Sequence, residues 1–143
     1  MDIPTRQALP REDYLTLLGA SLCVFNSNNA FVVENILNSE KCDRTWHELM
    51  DEYSGRLKAH VRETISLHSG NTAILELFDE IVLMRNRIIH SFQVTVDGGD
   101  QMLCTLTKGT HEQFLIDEEY LKTFISKNQE LSDLLYQYRE AGV

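Results

Sequence analysis

The sequence predicts an all-α fold, an antiparallel bundle of about four long helices with a short β-hairpin inserted before the last helix. Apolar side chains recur at steps of three and four over long stretches, which is typical of amphipathic helices. The period changes to alternation around Asp97-Gly98-Gly99-Asp100, a strong hairpin signal. With 143 residues, 43% of them hydrophobic, the chain is expected to form a single domain over residues 1–143.

The first predicted helix runs from Arg11 to Asn38. Its apolar stripe consists of Leu18, Leu22, Phe25, Val32 and Ile36. A polar patch from Asn26 to Asn29 lies within this stretch, but the stripe keeps its phase across the patch. The sequence therefore favours one long helix with a polar belt over two shorter helices.

Two further long helices are predicted in the middle of the chain. The stripe of the second consists of Trp46, Leu49, Tyr53, Leu57, Val61 and Ile65, and Gly55 costs this helix about 1 kcal/mol relative to alanine. Gly70 and Asn71 carry stop and restart signals, so the third helix is expected to begin around Thr72. Its stripe is Ile74, Phe78, Ile81, Arg85, Ile88 and Phe92. An arginine therefore occupies a position that the periodicity assigns to the buried face.

Alternating residues after Phe92 predict a β-hairpin at about 93–107, and Phe114 to Ile116 fit a third strand. Asp117 is a suitable N-cap for a last helix. The apolar face of that helix consists of Tyr120, Phe124, Leu131, Leu134, Leu135 and Tyr138, and the helix is expected to end at Gly142.

Composition limits the classes of function. The net charge of −9 repels polyanions, so any phosphate chemistry has to be confined to a local site where a few arginines converge. Residues 1–10 contain no apolar leader segment, and no later apolar run is expected to approach the roughly 18 residues of a membrane span. Three dispersed cysteines suggest neither disulfides nor a thiolate zinc site. A cytoplasmic protein without membrane contact, metal or cofactor is expected.

The arginine on the buried stripe requires an explanation. A buried guanidinium without partners is too unfavourable to tolerate, so Arg85 is expected either to pair with a carboxylate or to border a solvent-filled cleft. The structural interpretation is an ion pair with Asp79, Glu80 or another of the 22 acidic residues. The functional interpretation places Arg85 in a site.

The residues from Arg85 to His90 read RNRIIH. This segment resembles the R-N-x-x-x-H form of the RX4-6H motif of the HEPN superfamily, and its position toward the end of a long helix in a small helical bundle is similar as well. The resemblance implies a metal-independent endoribonuclease that acts as a homodimer, with the motif helices of the two subunits facing each other across a cleft. It also implies a role as a toxin or defence effector, with an antitoxin or regulatory protein as partner.

The side chains suit this chemistry. RNA supplies its own nucleophile, the 2′-hydroxyl, so cleavage needs a proton donor or acceptor and a cation on the phosphorane oxygens. His90, with an ordinary pKa near 6.5, is the candidate acid or base, and Arg85 is the candidate phosphate ligand. Asn86 lies within about 40° of His90 on a helix and is expected to orient it or to bind phosphate. Arg87 is expected to contact the RNA backbone or a carboxylate.

Arg85 and His90 differ by roughly 140° and about 7.5 Å of rise on a straight helix, so they do not point to one spot. Pairing of two chains, as the resemblance implies, would bring two copies of each together. One departure matters: in the toxin branch that is regulated by nucleotidyl transfer, a tyrosine follows two residues after the histidine, and here that position is Phe92. Control by tyrosine modification at this position is therefore not expected.

Two alternatives remain open. The first is a non-catalytic helical dimer that binds a protein or a nucleotide, with Arg85 locked in an ion pair. The second is a metal site on the second helix, where His47 and Asp51 share one face and His60 and His68 follow. That segment lacks a complete H-E-x-x-H and a clear third ligand, and a core histidine with a hydrogen-bond partner is the simpler interpretation of His60.

Overall fold

The computed structural model describes residues 2–39 and 42–141, and the protein is mostly helical, at 66%. Within these ranges the elements are α1 (Glu12–Leu37), α2 (Trp46–Asp51), α3 (Ser54–Val61), α4 (Leu67–Ser69), α5 (Ala73–Ile89), β1 (Ser91–Thr95), β2 (Gln101–Leu106), β3 (Gln113–Ile116) and α6 (Glu118–Glu140). A π-helical turn, Arg62–Ser66, joins α3 to α4. A mostly helical fold with strands before the last helix is confirmed. The predicted antiparallel arrangement does not hold for α1 and α6, which run parallel: Arg11 pairs with Glu118 near their starts and Glu34 with Arg139 near their ends.

Helix α1 is the single long helix that the sequence predicts, and it packs mainly against α6. Val32 and Ile36 of α1 are fully buried, as are Phe124 and Leu131 of α6. The polar belt lies at this contact. Nδ2 of Asn28 donates to the backbone oxygen of Asn128 at 2.7 Å and to its Oδ1 at 3.0 Å. A buried amide needs such partners, so this pair aligns the two helices.

By length and composition, α1 is long and apolar enough to cross a membrane, with a mean hydropathy of 1.2 over its best window. The expectation that no segment reaches this threshold is therefore wrong for α1. The same test is passed by core helices of globular proteins, and α1 carries buried polar side chains at Ser21, Asn28 and Asn35. Oγ of Ser21 and Nδ2 of Asn35 both donate to carbonyls one turn earlier.

The predicted second long helix is divided, and this corrects the sequence-based prediction. The chain leaves the helix at Glu52 and Tyr53, whose ψ angles of 148° and 144° are extended, and α3 then begins at Ser54. Two side-chain contacts hold the break. Oε2 of Glu52 lies 2.9 Å from Nε2 of His60, and Oγ of Ser54 donates to Oδ1 of Asn29 at 2.9 Å.

The boundary between α4 and α5 is where the sequence predicts it. Gly70 has φ +76°, a left-handed conformation that favours glycine and ends a helix, and α5 begins at Ala73. Ile74, Phe78, Ile81 and Ile88 of α5 are buried. Phe92, the last residue of the predicted stripe, belongs to β1 instead and is 44% exposed, because the helix ends at Ile89.

The strands form one antiparallel sheet in the order β1-β2-β3, which confirms the hairpin and the third strand. The hairpin turns through Gly98 and Gly99, which both have positive φ. Tyr14 of α1 fastens the sheet to the bundle. Its hydroxyl donates to the oxygen of Ile116 at 2.6 Å and accepts from the N–H of Leu103 at 3.2 Å.

Helix α6 closes the fold. The carboxylate of Asp117 accepts from the N–H of Tyr120 at 2.8 Å, so the predicted N-cap is confirmed. Phe124, Leu131 and Leu135 are fully buried, which confirms the predicted apolar face. The expected end of this helix at Gly142 lies outside the described residues, and the helix is defined as far as Glu140.

Candidate functional site

Arg85 lies on the core side of α5, between the buried residues Ile81 and Ile88. Its side chain is partly buried, and its Cζ atom lies 4.9 Å from the ring centroid of Phe25 on α1. Phe25 is itself buried and stacks on Phe124 of α6, with the ring centroids 6.2 Å apart. The guanidinium therefore covers an aromatic ring of the core, at the distance of a cation–π contact.

The ion-pair interpretation of Arg85 is not supported. Asp79 is bound by Lys58 at 2.6 Å and Glu80 by Lys127 at 2.8 Å. Across residues 2–39 and 42–141, no carboxylate lies within ion-pair distance of Arg85, and its buried Nε atom has no hydrogen-bond partner. Burial lowers the pKa of this guanidinium, which nevertheless remains charged near neutral pH. Arg85 is thus a cation that the core accommodates without neutralising it.

Asn86 and Arg87 face a cleft between the end of α5 and the segment after β2. The cleft has a volume of about 290 Å³ and is lined by Leu83, Asn86, Arg87, Thr107 and Lys108. Nη1 of Arg87 donates to the backbone oxygen of Leu106 at 3.2 Å, which fixes the arginine against β2. Neither Arg87 nor Lys108 has a carboxylate partner within the part of the chain that the structure describes. The cleft is therefore locally cationic on an acidic protein.

The sequence alone does not predict Lys108 as a site residue. It is a single lysine in a loop, and only the pairing of β2 beside the end of α5 brings it next to Asn86 and Arg87. The hairpin prediction placed the end of β2 near residue 107, but it gave no information about which helix end that loop approaches. The cleft contains two basic side chains, one amide and one hydroxyl, a combination that is suited to binding phosphate oxygens.

His90 is the residue that ends α5. Its backbone N–H donates to the oxygen of Asn86 at 3.0 Å, and its side chain is exposed. The expected hydrogen bond from the Asn86 amide to the imidazole is absent among the described residues. No hydrogen bond or ion pair joins His90 to Arg85 in the described ranges either. Within this single chain, Arg85 and His90 are therefore not brought together.

Tyr120 of α6 contacts α5 just before Arg85. Its hydroxyl donates to the backbone oxygen of Met84 at 2.9 Å, and its ring lies beside that of Phe114 on β3, with centroids 6.0 Å apart. Burial raises the pKa of Tyr120 to about 12, although the nearby charge of Arg87 acts in the opposite direction. Because the phenol stays neutral, it is a stable hydrogen-bond donor to the segment just before Arg85.

The alternative metal site finds no geometric support. His60, which the sequence analysis treated as a core histidine with a partner, pairs with Glu52, and His47 is exposed on α2. His68 lies beside the ring of Tyr138, with the ring centroids 6.5 Å apart. Among the described residues, no three His, Cys, Asp or Glu side chains converge as a metal site.

The protein is a small helical bundle with a three-stranded antiparallel sheet, and a cationic cleft lies at the C-terminal end of α5. Comparisons with protein-family models, with curated proteins and with solved structures found no match. The HEPN relationship therefore stays a prediction from the RNRIIH segment and its position at the end of α5.

Proposed function

We propose that this protein is a HEPN-like, metal-independent endoribonuclease that acts as a homodimer. The observation that carries the proposal is the state of Arg85, a partly buried guanidinium whose buried Nε has no partner in the described part of the chain. A buried N–H without a partner costs about 1–3 kcal/mol, and an apolar side chain at this position would avoid that cost. Because an apolar residue would serve the fold better at this position, the guanidinium of Arg85 is best explained by binding an anionic ligand.

The class of ligand follows from the surroundings of the motif. Arg87 and Lys108, which line the cleft, have no carboxylate partner among the described residues, and neither has Arg85 on the core side of the same helix end, in a protein whose net charge is −9. A local cationic site of this kind suits the phosphodiester of one RNA segment rather than coverage of a long polyanion. Arg87, anchored to the carbonyl of Leu106, would hold a phosphate beside the scissile one, and Lys108 would contact the same strand.

Dimerisation would resolve the separation of the motif residues. Arg85 packs toward α1 whereas His90 is exposed at the end of α5, so one subunit supplies them in different directions. Ile89 lies between them in sequence and is 47% exposed, an uncovered apolar side chain that a second subunit would bury. Two motif helices around a two-fold axis would then place the arginine of one chain near the histidine of the other.

In the proposed reaction, protein side chains and water supply every proton transfer, so no metal ion is required. His90 as base takes the proton of the 2′-hydroxyl while the 2′-oxygen attacks phosphorus, and Arg85 stabilises the negative charge of the phosphorane. The bond to the 5′-oxygen then breaks, and that oxygen takes a proton from the second histidine of the dimer or from water. The products are a 2′,3′-cyclic phosphate and a 5′-hydroxyl. Asn86 would bind a phosphate oxygen or orient His90 once substrate tightens the site.

The test compares purified wild type with His90→Ala and with a matched control, His47→Ala, which removes another exposed histidine on α2. We expect wild type to cleave RNA in the presence of a chelator and to leave cyclic phosphate ends. Loss of a general acid or base should slow His90→Ala by about 10²–10⁴-fold, and His47→Ala should match wild type. Lys108→Ala should weaken RNA binding and leave the product ends unchanged.

Two outcomes would overturn the proposal. Cleavage at equal rates by wild type and His90→Ala would indicate a contaminating nuclease or a different site. A dimer that sediments as expected but leaves RNA intact would favour the non-catalytic binding module instead. Sedimentation at several protein concentrations tests the homodimer directly, and Ile89→Glu should shift it toward monomer by placing a charge in the proposed interface.

A further inference from the structure

A second candidate site lies in a groove between α1 and α6. The groove has a volume of about 390 Å³, and three aromatic side chains line it: Phe31, Trp46 and Tyr136. The rings of Phe31 and Tyr136 are packed with centroids 4.7 Å apart. Trp46 is 50% exposed and Tyr136 is 52% exposed. Large aromatic side chains that converge on one open groove, rather than on the core, indicate a surface built for a flat apolar ligand.

Polar side chains border the same groove. Ser27 and Asn28 of α1 and Ser132 of α6 line it together with the aromatic residues. The amide nitrogen of Asn28 is committed to Asn128, which leaves its carbonyl oxygen as the acceptor at this edge. Hydroxyl and amide groups beside stacking rings are the combination that recognises the hydrogen-bonding edge of a nucleobase.

The charged side chains of the groove indicate whether its ligand is a cation or carries a phosphate. Nη1 of Arg139 lies 3.7 Å from Oε1 of Glu34, and both side chains are about half exposed. Aromatic cages for quaternary ammonium groups also use several rings. Here, however, the groove's one lining carboxylate already has a cationic partner, so a cation would gain little. Arg139 can instead turn to a phosphate, because its ion pair is exposed and weak.

We infer that this groove binds a nucleobase, stacked on Tyr136 and Trp46, with an attached phosphate at Arg139. The base could be supplied by a free nucleotide or by one residue of single-stranded RNA, since both present the same ring and phosphate. The groove is separate from the motif: Phe31 lies six residues beyond Phe25 on α1, roughly 9 Å along the helix axis, and on another side of it. The inference therefore stands independently of the proposed ribonuclease activity.

Trp46 is the only tryptophan of the chain, so its fluorescence reports on this groove alone. The probes are adenosine, adenosine monophosphate and a short single-stranded oligonucleotide whose 2′-hydroxyls are methylated, which prevents cleavage. We expect saturable quenching by all three. Adenosine monophosphate should bind more tightly than adenosine, and Arg139→Gln should remove that difference. Tighter binding of the oligonucleotide than of the monophosphate would identify RNA as the source of the base; the reverse would identify a free nucleotide.

Substitutions of Tyr136 separate stacking from a general loss of structure. Tyr136→Phe keeps the ring and should bind as wild type does, whereas Tyr136→Leu should weaken binding by at least about fivefold, the lower range for loss of one base–aromatic stack. Tyr53→Leu is the matched control, because Tyr53 is 79% exposed and does not line the groove. All variants are checked for unchanged far-UV circular dichroism.

Absence of saturable quenching, or equal affinities of Tyr136→Leu and Tyr136→Phe, would overturn the inference. His90→Ala separates it from the proposed activity. That variant should keep the quenching in full, so loss of cleavage with retained quenching supports both sites. Retained quenching in a protein that never cleaves RNA supports the groove alone.

Discussion

Replacing Arg85 by methionine is expected to stabilise the protein while it abolishes the proposed RNA cleavage. Methionine is apolar and unbranched, and its side chain reaches about as far as the Nε position of arginine, so it can follow the same path toward Phe25 and make a sulfur–aromatic contact. The buried Nε–H that has no partner within the described ranges disappears with the arginine. Stability and activity are therefore predicted to change in opposite directions at this one position.

The magnitude follows from two opposing terms. Removing the buried, unpartnered N–H returns about 1–3 kcal/mol. Losing the guanidinium over the ring of Phe25 costs about 0.5–1 kcal/mol, as in other partly exposed cation–π contacts. The two ranges combine to a net gain of about 0–2.5 kcal/mol in the free energy of unfolding. For 143 residues, at about 2.1 cal/mol/K per residue, 1 kcal/mol corresponds to a rise of roughly 3 °C in Tm.

The assay is urea unfolding followed by circular dichroism, repeated at several protein concentrations so that any contribution of the proposed dimerisation is measured separately. Arg56→Met is the control, because Arg56 is an exposed arginine in α3 and its replacement should change stability by less than about 0.5 kcal/mol. A loss of more than about 1 kcal/mol in Arg85→Met would refute the reasoning, since it would mean that Arg85 is retained for the fold.

Three further predictions concern the supports of the bundle. Tyr14→Phe should lower the free energy of unfolding by about 1–3 kcal/mol, because it leaves a buried carbonyl of the sheet without its donor; a change under about 0.5 kcal/mol in urea unfolding would contradict this. Asn128→Ala should cost about 0.5–1.5 kcal/mol, because it removes the 3.0 Å bond from the buried amide of Asn28 to Oδ1 and leaves the bond to the backbone oxygen in place; alanine at the exposed neighbour Gln129 should be nearly neutral in the same measurement. Tyr120, whose pKa rises from 10.0 to about 12, should contribute to alkaline unfolding.

The sign of that pH effect follows from the two states of Tyr120. Below pH 10 the phenol is neutral in both the folded and the unfolded protein, and its contribution to stability is complete. Between pH 10 and about 12 the unfolded state ionises first, so stability falls as the pH rises through this window. The stability of Tyr120→Phe should fall less steeply over the same range. Parallel curves for the two proteins would show that the phenol stays solvated in the folded state.

The sequence predicted the elements whose signals are local. Gly70 ends a helix because the backbone there has a left-handed conformation that favours glycine. Asp117 caps α6 through its own side chain, and Gly98 and Gly99 form the hairpin turn. Arg85 was also placed correctly on the buried stripe of α5, because helical period alone determines that position. Signals of this kind need no knowledge of which elements meet.

The sequence did not predict features that depend on contacts between distant segments. Periodicity did not reveal the break before α3, because Leu49 and Leu57 are buried on either side of it; Tyr53, which the predicted stripe places on the buried face, lies in the break and is 79% exposed. The break depends on Glu52 meeting His60. Lys108 in the cationic cleft and Trp46 in the aromatic groove were likewise invisible, because each joins its site only through tertiary packing.

A single residue, His90, separates the end of α5 at Ile89 from the start of β1 at Ser91. A one-residue junction cannot absorb an insertion or a deletion without shifting the strand that follows it. The turn at Asp97–Gly99 can accept extra residues without disturbing the sheet, but one residue inserted beside His90 would exchange the two faces of β1, turning Phe92 and Val94 toward the side that Ser91 and Gln93 now occupy. Insertions are therefore tolerable at the tip of the hairpin and excluded beside His90. Because His90 directly precedes β1, the direction of its imidazole depends on the alternation of side chains along that strand.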